Sequence, residues 1–297
     1  MQLSTFSRAR SDERARLQPY KRSNRQASAA VKYIVLMALV IVFGAPFLWL
    51  VVTALKTPEE MVAFPVHFLP AQPAWNNFVQ ALTSINYAAY AANSLLLSTV
   101  YATLITFSSA LVGFGFARLR GWGKRPLFMI MLSTLMLPQI VTLIPTYILF
   151  SHLGFVDTYW PWVLWGLAAS PYLVFLFRRF FSAIPIELEE AAILDGCGYG
   201  RVFWRIFLPL SIPVMVTAFL LSFTWVWGDY ITPSLLLSQD NTTLAVAISG
   251  LYLDPHGNAL QTVQAAGALI YVIPEIVVFF LAQRYFVRGI VTSGLKG

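Results

Sequence analysis

The sequence predicts an all-α polytopic membrane protein with six transmembrane helices and both termini in the cytoplasm, and three observations carry that prediction. Of 297 residues, 58% are hydrophobic and only 11% are charged, whereas a soluble domain carries about 25% charged residues. Several apolar runs exceed the ~18 residues that cross a bilayer as a helix, and a helix satisfies its own backbone groups in lipid. With six spans, nineteen of the twenty Lys and Arg residues fall on one side and Lys56 alone on the other; the positive-inside rule makes the crowded side cytoplasmic. The net charge of +7 is thus explained by orientation in the membrane, and no nucleic-acid partner is expected. The single cysteine, Cys197, excludes an internal disulfide and a multi-cysteine metal site.

Residues 1–30 hold seven cations, from Arg8 to Arg25, against Asp12 and Glu13. They read as a basic cytoplasmic tail with no cleavable signal peptide, because no apolar core precedes them. A domain of six spans is expected over 31–285. The first span covers about 31–54. The external loop 55–87 contains Pro58, Pro65, Pro70 and Pro73, so it cannot be one helix and is expected as short amphipathic pieces at the interface.

In the second span, about 88–117, Ser94, Ser98, Ala102, Thr106 and Ala110 recur every fourth residue. Small side chains at that spacing let two membrane helices approach closely. The third span, about 126–150, contains Pro138 and Pro145 and is expected to be kinked or interrupted. Such breaks line transport pathways in some proteins and are inert in others. The fourth span, about 160–177, ends at Arg178-Arg179. A fifth covers about 211–235, an external loop 236–260, and a sixth about 261–282. A cytoplasmic tail, 286–297, closes the chain.

Between the fourth and fifth spans lies a polar cytoplasmic loop, 181–210. Pro185 starts a helix with Glu187, Glu189 and Glu190 in its first turn, where the helix dipole favours carboxylates. Gly196, Gly198 and Gly200 break it. A second short helix, about 201–207, puts Val202, Phe203 and Ile206 on one face, and Pro209 is expected to end it. Two short helices are marginal alone. Their apolar face needs a partner, either this protein's own spans or another protein.

The spacing Glu190-Ala191-Ala192, three residues, Gly196, nine residues, Ile206-Phe207-Leu208-Pro209 resembles the EAA signature of ABC importer permeases. The chain as a whole is similar to the carbohydrate-uptake permeases of the maltose-transporter second-subunit type. Lys56-Thr57 with Glu59-Glu60, Asn93-Ser94, Pro185 to Leu188, Trp227-Gly228-Asp229-Tyr230, and Gly289 to Gly297 agree with that pattern. Gly228 stands where Asn is frequent, Cys197 where a small residue is usual, and the tail departs from the common ending.

The resemblance implies a type I ABC importer permease (MetI-like) fold in a prokaryotic inner membrane. It also implies a second permease subunit, two ATPase subunits, an external solute-binding protein and a sugar as solute. The chain itself would be non-catalytic and hold no cofactor. ATP and Mg would belong to the ATPase subunits, in keeping with the lack of a G-x-x-x-x-G-K-[ST] loop. Glu190, Ala191, Ala192, Asp195, Gly196, Ile206, Leu208 and Pro209 would form the coupling element seated on an ATPase, with further contacts from Gly294, Lys296 and Gly297. Trp225, Trp227, Asp229, Tyr230 and Glu275 are candidates for the pathway or substrate, since carboxylates within spans point to function by default. An importer of a peptide, polyamine or phosphate ester, and a stand-alone secondary carrier, are the alternatives.

Overall fold

The structure, a computed structural model, describes residue 29 and residues 31–293, with side-chain surroundings through residue 283. The rest of the basic tail, and Gly294, Lys296 and Gly297, lie outside the described residues.

Helix α1 (Val31–Ala54) is apolar along its length, and none of its most hydrophobic 18-residue window is buried against the rest of the chain. It is tied down only at its outer end. Asn77 Nδ2 donates to the carbonyls of Ala54 and Lys56, each at 2.8 Å. Lys56, the one cation outside, is only 3% exposed; its ammonium donates to the His67 carbonyl at 2.5 Å and lies 5.7 Å from the Trp49 ring centre. Next, Thr57 and Glu60 form a reciprocal capping box for α2 (Pro58–Val62), satisfying two orphan N–H groups at that helix start. Glu60 also accepts from the Ala71 N–H at 2.8 Å. With α3 (Asn76–Thr83), the external loop contains the two short helices that its prolines allow.

The centre of the molecule is α4 (Tyr87–Arg118), 32 residues or about 48 Å long. All five members of the small-residue stripe are buried. Beyond α4 the chain folds back as α5 (Lys124–Ser133), a 3₁₀ turn at Thr134–Met136, and α6 (Gln139–His152). The path bends by 100° at Pro138, while Pro145 sits inside α6. Of the two prolines only the first interrupts. Next come α7 (Trp160–Leu167) and α8 (Pro171–Ala183), joined through Ala169, whose φ is +59°. A non-glycine residue in that region stores backbone strain.

The cytoplasmic segment forms α9 (Ile186–Leu194), α10 (Tyr199–Val202), a π turn (Phe203–Phe207) and α11 (Leu208–Leu210). Helix α12 (Ile212–Trp227) follows after a bend of 79°. Pro209 therefore does not end the second cytoplasmic helix. In the π turn the Leu208 N–H bonds back five residues to the Phe203 carbonyl, which widens the turn just before the proline ring must fit. The path changes direction two residues later, at Ser211. The fifth span also stops early, at Trp227. Its extension to 235 is interrupted at Gly228-Asp229, and α13 (Ile231–Leu236) is a separate short helix. Last come α14 (Leu244–Gly250) and α15 (Gln261–Ser293). Among the described residues, four helical segments are long and apolar enough to span a membrane, and counting each of the two bent pairs as one span brings the number to six.

Helix α4 packs against α12, α8 and α7. Ala102 meets Phe223 and Trp227 of α12, and Ala110 shares a cluster with Val214 and Ala218. Ser94 extends the stripe by accepting from the Leu244 N–H of α14 at 2.8 Å. On the opposite side, glycine sets the approach. A Cβ added at Gly113 would stand 2.6 Å from the Phe177 Cβ of α8. One added at Gly166 of α7 would stand 2.7 Å from the Leu104 Cβ. Gly113→Ala is therefore expected to destabilise the purified protein by about 1–3 kcal/mol, the usual cost of overpacking. Gly115→Ala, where the nearest atom is 3.9 Å away, should leave the melting temperature unchanged.

Candidate functional site

The loop 181–210 has two faces. Helix α9 ends in a Schellman arrangement: the Cys197 N–H donates to the Ala192 carbonyl at 2.9 Å and the Gly196 N–H to the Ile193 carbonyl at 3.0 Å. Gly196 takes the left-handed φ of +81° that this cap requires. Ala192 and Glu189 turn inward and are buried. Glu190, Ala191 and Asp195 face out, together with Ile186, Leu188 and Leu194, the last 89% exposed. This surface, mixing acids with large apolar side chains, lies on the arginine-rich side of the protein.

Below it, the inward face is an aromatic knot. Phe114 of α4 packs 5.2 Å from Phe203, 5.0 Å from Phe207 and 6.1 Å from Phe181. Val202 is fully buried there, with Ile206 and Leu208 partly covered at its rim; Pro209 is exposed. The sequence places Val202, Phe203 and Ile206 on the apolar face, but Phe207 is the residue at its centre.

Sequence reasoning missed the polar contact beneath α9. The Arg118 Nε lies 3.5 Å from the Glu189 Oε2, with both side chains under a tenth exposed. The same guanidinium donates to the Phe181 carbonyl at 2.7 Å and to the Ile184 carbonyl. It also lies 4.9 Å from the Phe207 ring centre. Glu189 stands three residues before Ala192, on the inward side of a 3.6-residue period, and that periodicity was the available signal.

A second feature is a cavity of about 470 Å³ in the outer half of the helices. Tyr101 of α4, Trp165 of α7 and Trp225 of α12 line it, with Gln139, Thr142 and Thr146 of α6, Ser170 and Asp229. Gln139, which follows the break at Pro138, and the strained Ala169 both line this space. Trp225 is 62% exposed. Asp229 accepts from the Thr232 N–H at 3.1 Å and so caps the start of α13 while facing the cavity.

The other pathway candidates are not gathered there. Trp227 is 1% exposed, stacked between Phe223 at 5.7 Å and Tyr271 at 5.2 Å, and its carbonyl accepts from the Tyr271 hydroxyl. It is a packing residue, closed to solute. Tyr230 borders a separate hollow of about 540 Å³ with Trp49, Gln261 and Tyr271. Glu275 is half-buried, and among the described residues it has no ion-pair partner.

The outer rim near α13 is clamped by Asp157, itself at φ +60°. Its carboxylate accepts from the Ser238 N–H at 2.9 Å and the Asn241 amide at 3.0 Å, while its own N–H donates to the Leu236 carbonyl at 2.7 Å. The Ser238 backbone N–H, followed by the Ser238 hydroxyl and Asn241, holds the Asp157 carboxyl below the ordinary aspartate range. A carboxylate with depressed folded pKa adds stability above its unfolded pKa and loses it as pH falls. The melting-temperature gap between wild type and Asp157→Ala should therefore stay constant from pH 8 to pH 6. It should narrow only as pH falls through about 4, the unperturbed value.

Spans around a polar–aromatic cavity, with an acid-bearing helix exposed on the arginine-rich side, are the features of a membrane transport subunit. Residues 109–292 match the family described as the binding-protein-dependent transport system inner membrane component, and the chain belongs to that family: it is an inner-membrane permease of the ABC importer class. It is 30% identical over 265 residues to the arabinooligosaccharides transport system permease protein AraQ of Halalkalibacterium halodurans, covering 88% of this chain and 93% of that one. It is 34% identical over 281 residues to the sn-glycerol-3-phosphate transport system permease protein UgpE of Yersinia pestis, covering 91% and 98%. The fold matches a chain in the crystal structure of a bacterial ABC transporter for the acidic polysaccharide alginate, with TM-score 0.75, 20% identity, and 88% and 97% coverage.

Proposed function

We propose that this chain forms half of the translocation pathway of an ATP-driven importer of an uncharged carbohydrate. In this reading it pairs with a second permease subunit, receives solute from an external binding protein, and seats α9 on one of two ATPase subunits that hold the ATP and Mg. The observation that carries the coupling role is the two-faced α9: its inner face is locked into the aromatic knot, while Glu190, Leu188 and Leu194 stand free on the cytoplasmic side. A partner that binds this face more tightly in one of its states shifts the permease with it.

The cavity argues for the cargo. Flat aromatic faces beside hydroxyl and amide groups suit a sugar, which offers an apolar C–H face and many hydroxyls. The relatives include permeases for oligosaccharide and for a phosphate ester. Among the described residues the lining here contains one carboxylate, Asp229, and no Lys or Arg. A phosphate or uronate would meet repulsion without a compensating cation, which favours a neutral sugar over either acidic class.

Reconstituted with its ATPases, partner permease and binding protein, the complex should show ATP-dependent uptake stimulated by a neutral oligosaccharide. Stimulation by phosphate esters alone, or uptake without nucleotide, would sink this reading. Glu190→Arg is expected to abolish uptake while the chain still inserts and pairs. Gly196→Pro should do the same, because proline cannot reach φ +81°. Trp225→Ala should raise the KM for uptake about tenfold, a loss of about 1.4 kcal/mol, with little change in melting temperature. Trp227→Ala should instead cost about 3–5 kcal/mol of stability.

A further inference from the structure

We infer that the Arg118–Glu189 pair is the joint through which movement of the docked α9 reaches the transmembrane helices around the cavity. The inference rests on the proposed seating of α9 on an ATPase. Arg118 is the last residue of α4, and its guanidinium ties that helix to three other segments. It belongs to α4, donates to the carbonyls of Phe181 and Ile184 at the end of α8, pairs with Glu189 of α9 at 3.5 Å, and lies over Phe207 of the π turn. Two of those segments lead straight to the cavity. Helix α4 reaches it at Tyr101, about 26 Å up the helix from Arg118, and α8 begins at its wall, with Ser170 and Pro171.

The Arg118 Nε and the Glu189 Oε2 are both buried, and neither atom has a hydrogen-bond partner among the described residues; at 3.5 Å each faces the other's charge. If α9 moved away from α4, the Glu189 carboxylate would lose the cation it faces, and the guanidinium would keep only the Phe181 and Ile184 carbonyls and the Phe207 ring. Separating a buried pair is far more costly than keeping it, so α9 and the inner ends of α4 and α8 move as one body. The adjacent acids divide the work. Glu190 faces the partner, and Glu189 holds the arm that the partner pushes.

Glu189→Gln keeps the shape of the side chain and removes its charge. The double variant Arg118→Met/Glu189→Met removes both charges together and strands neither, so it guards against a simple folding defect. Both would be tested in proteoliposomes holding the whole complex, with neutral-sugar uptake and ATP hydrolysis measured on the same vesicles. In a Cys197→Ala background, cross-linking from Leu194→Cys to the ATPase reports docking. The expected result is cross-linking and ATP hydrolysis within about twofold of the parent, with uptake per ATP at least tenfold lower, in both variants. Uptake and hydrolysis falling in proportion, or full recovery of uptake per ATP in the double variant, would overturn the joint and leave docking intact. Absence of the cross-link in the parent would remove the docking on which the joint stands.

Discussion

Two membrane helices gain little by hiding apolar surface from lipid, because lipid tails are as apolar as leucine; they hold together through close contact and hydrogen bonding. The rest of this structure depends on how closely α4 lets its neighbours approach. On one side, Ser98, Ala102, Thr106 and Ala110 present no bulk to α12. On the other, Gly113 and Gly166 allow backbone approaches that a single added methyl would block. With α12, α8 and α7 pressed onto it, α4 fixes both ends of the protein: Tyr101 at the cavity wall and Arg118 beneath the cytoplasmic helices. A looser seam would leave those two residues without a rigid connection.

This dependence also explains why the helix breaks fall where they do. Continuous helices on all sides of α4 would fill the outer half with side chains. The bend at Pro138, the left-handed Ala169 and the early end of α12 at Trp227 each draw backbone aside, and Gln139, Ala169 and Asp229 beside these breaks line the polar–aromatic cavity. Non-helical backbone is tolerated at membrane depth where it lines a cavity or is buried in protein. Asp229 shows how the exposed groups are met: it caps α13 and faces the cavity with the same carboxylate.

Much of this was legible in the sequence because it follows from local patterns. Hydropathy and the arginine distribution mark the spans, the fourfold repeat of small residues marks the seam, and Pro185 with Gly196 marks the limits of α9. What was not legible depends on tertiary register. Proline breaks a helix only if the preceding turn cannot adjust, so Pro138 interrupts, Pro145 is absorbed, and Pro209 passes behind a π turn. Trp227 and Trp225 are two residues apart, about 200° around α12, so one is sealed against Phe223 and Tyr271 while the other is open. No composition rule separates them.

The same register argument bears on the acids of α9. Four carboxylates in one short segment look equivalent when assigned to a helix dipole or to a docking surface. Their energetic situations differ. An exposed carboxylate such as Glu190 is screened by water and free to pair with whatever arrives. A buried one such as Glu189 cannot remain charged without a fixed cation, and Arg118 supplies it from a helix 71 residues earlier in the chain. An exposed acid can be exchanged between partners during a cycle at little cost, while a buried pair resists separation throughout. A moving contact and a permanent one are what the proposed coupling role asks of one helix, and adjacent positions on α9 can offer both because 100° of helical rotation separates water from core.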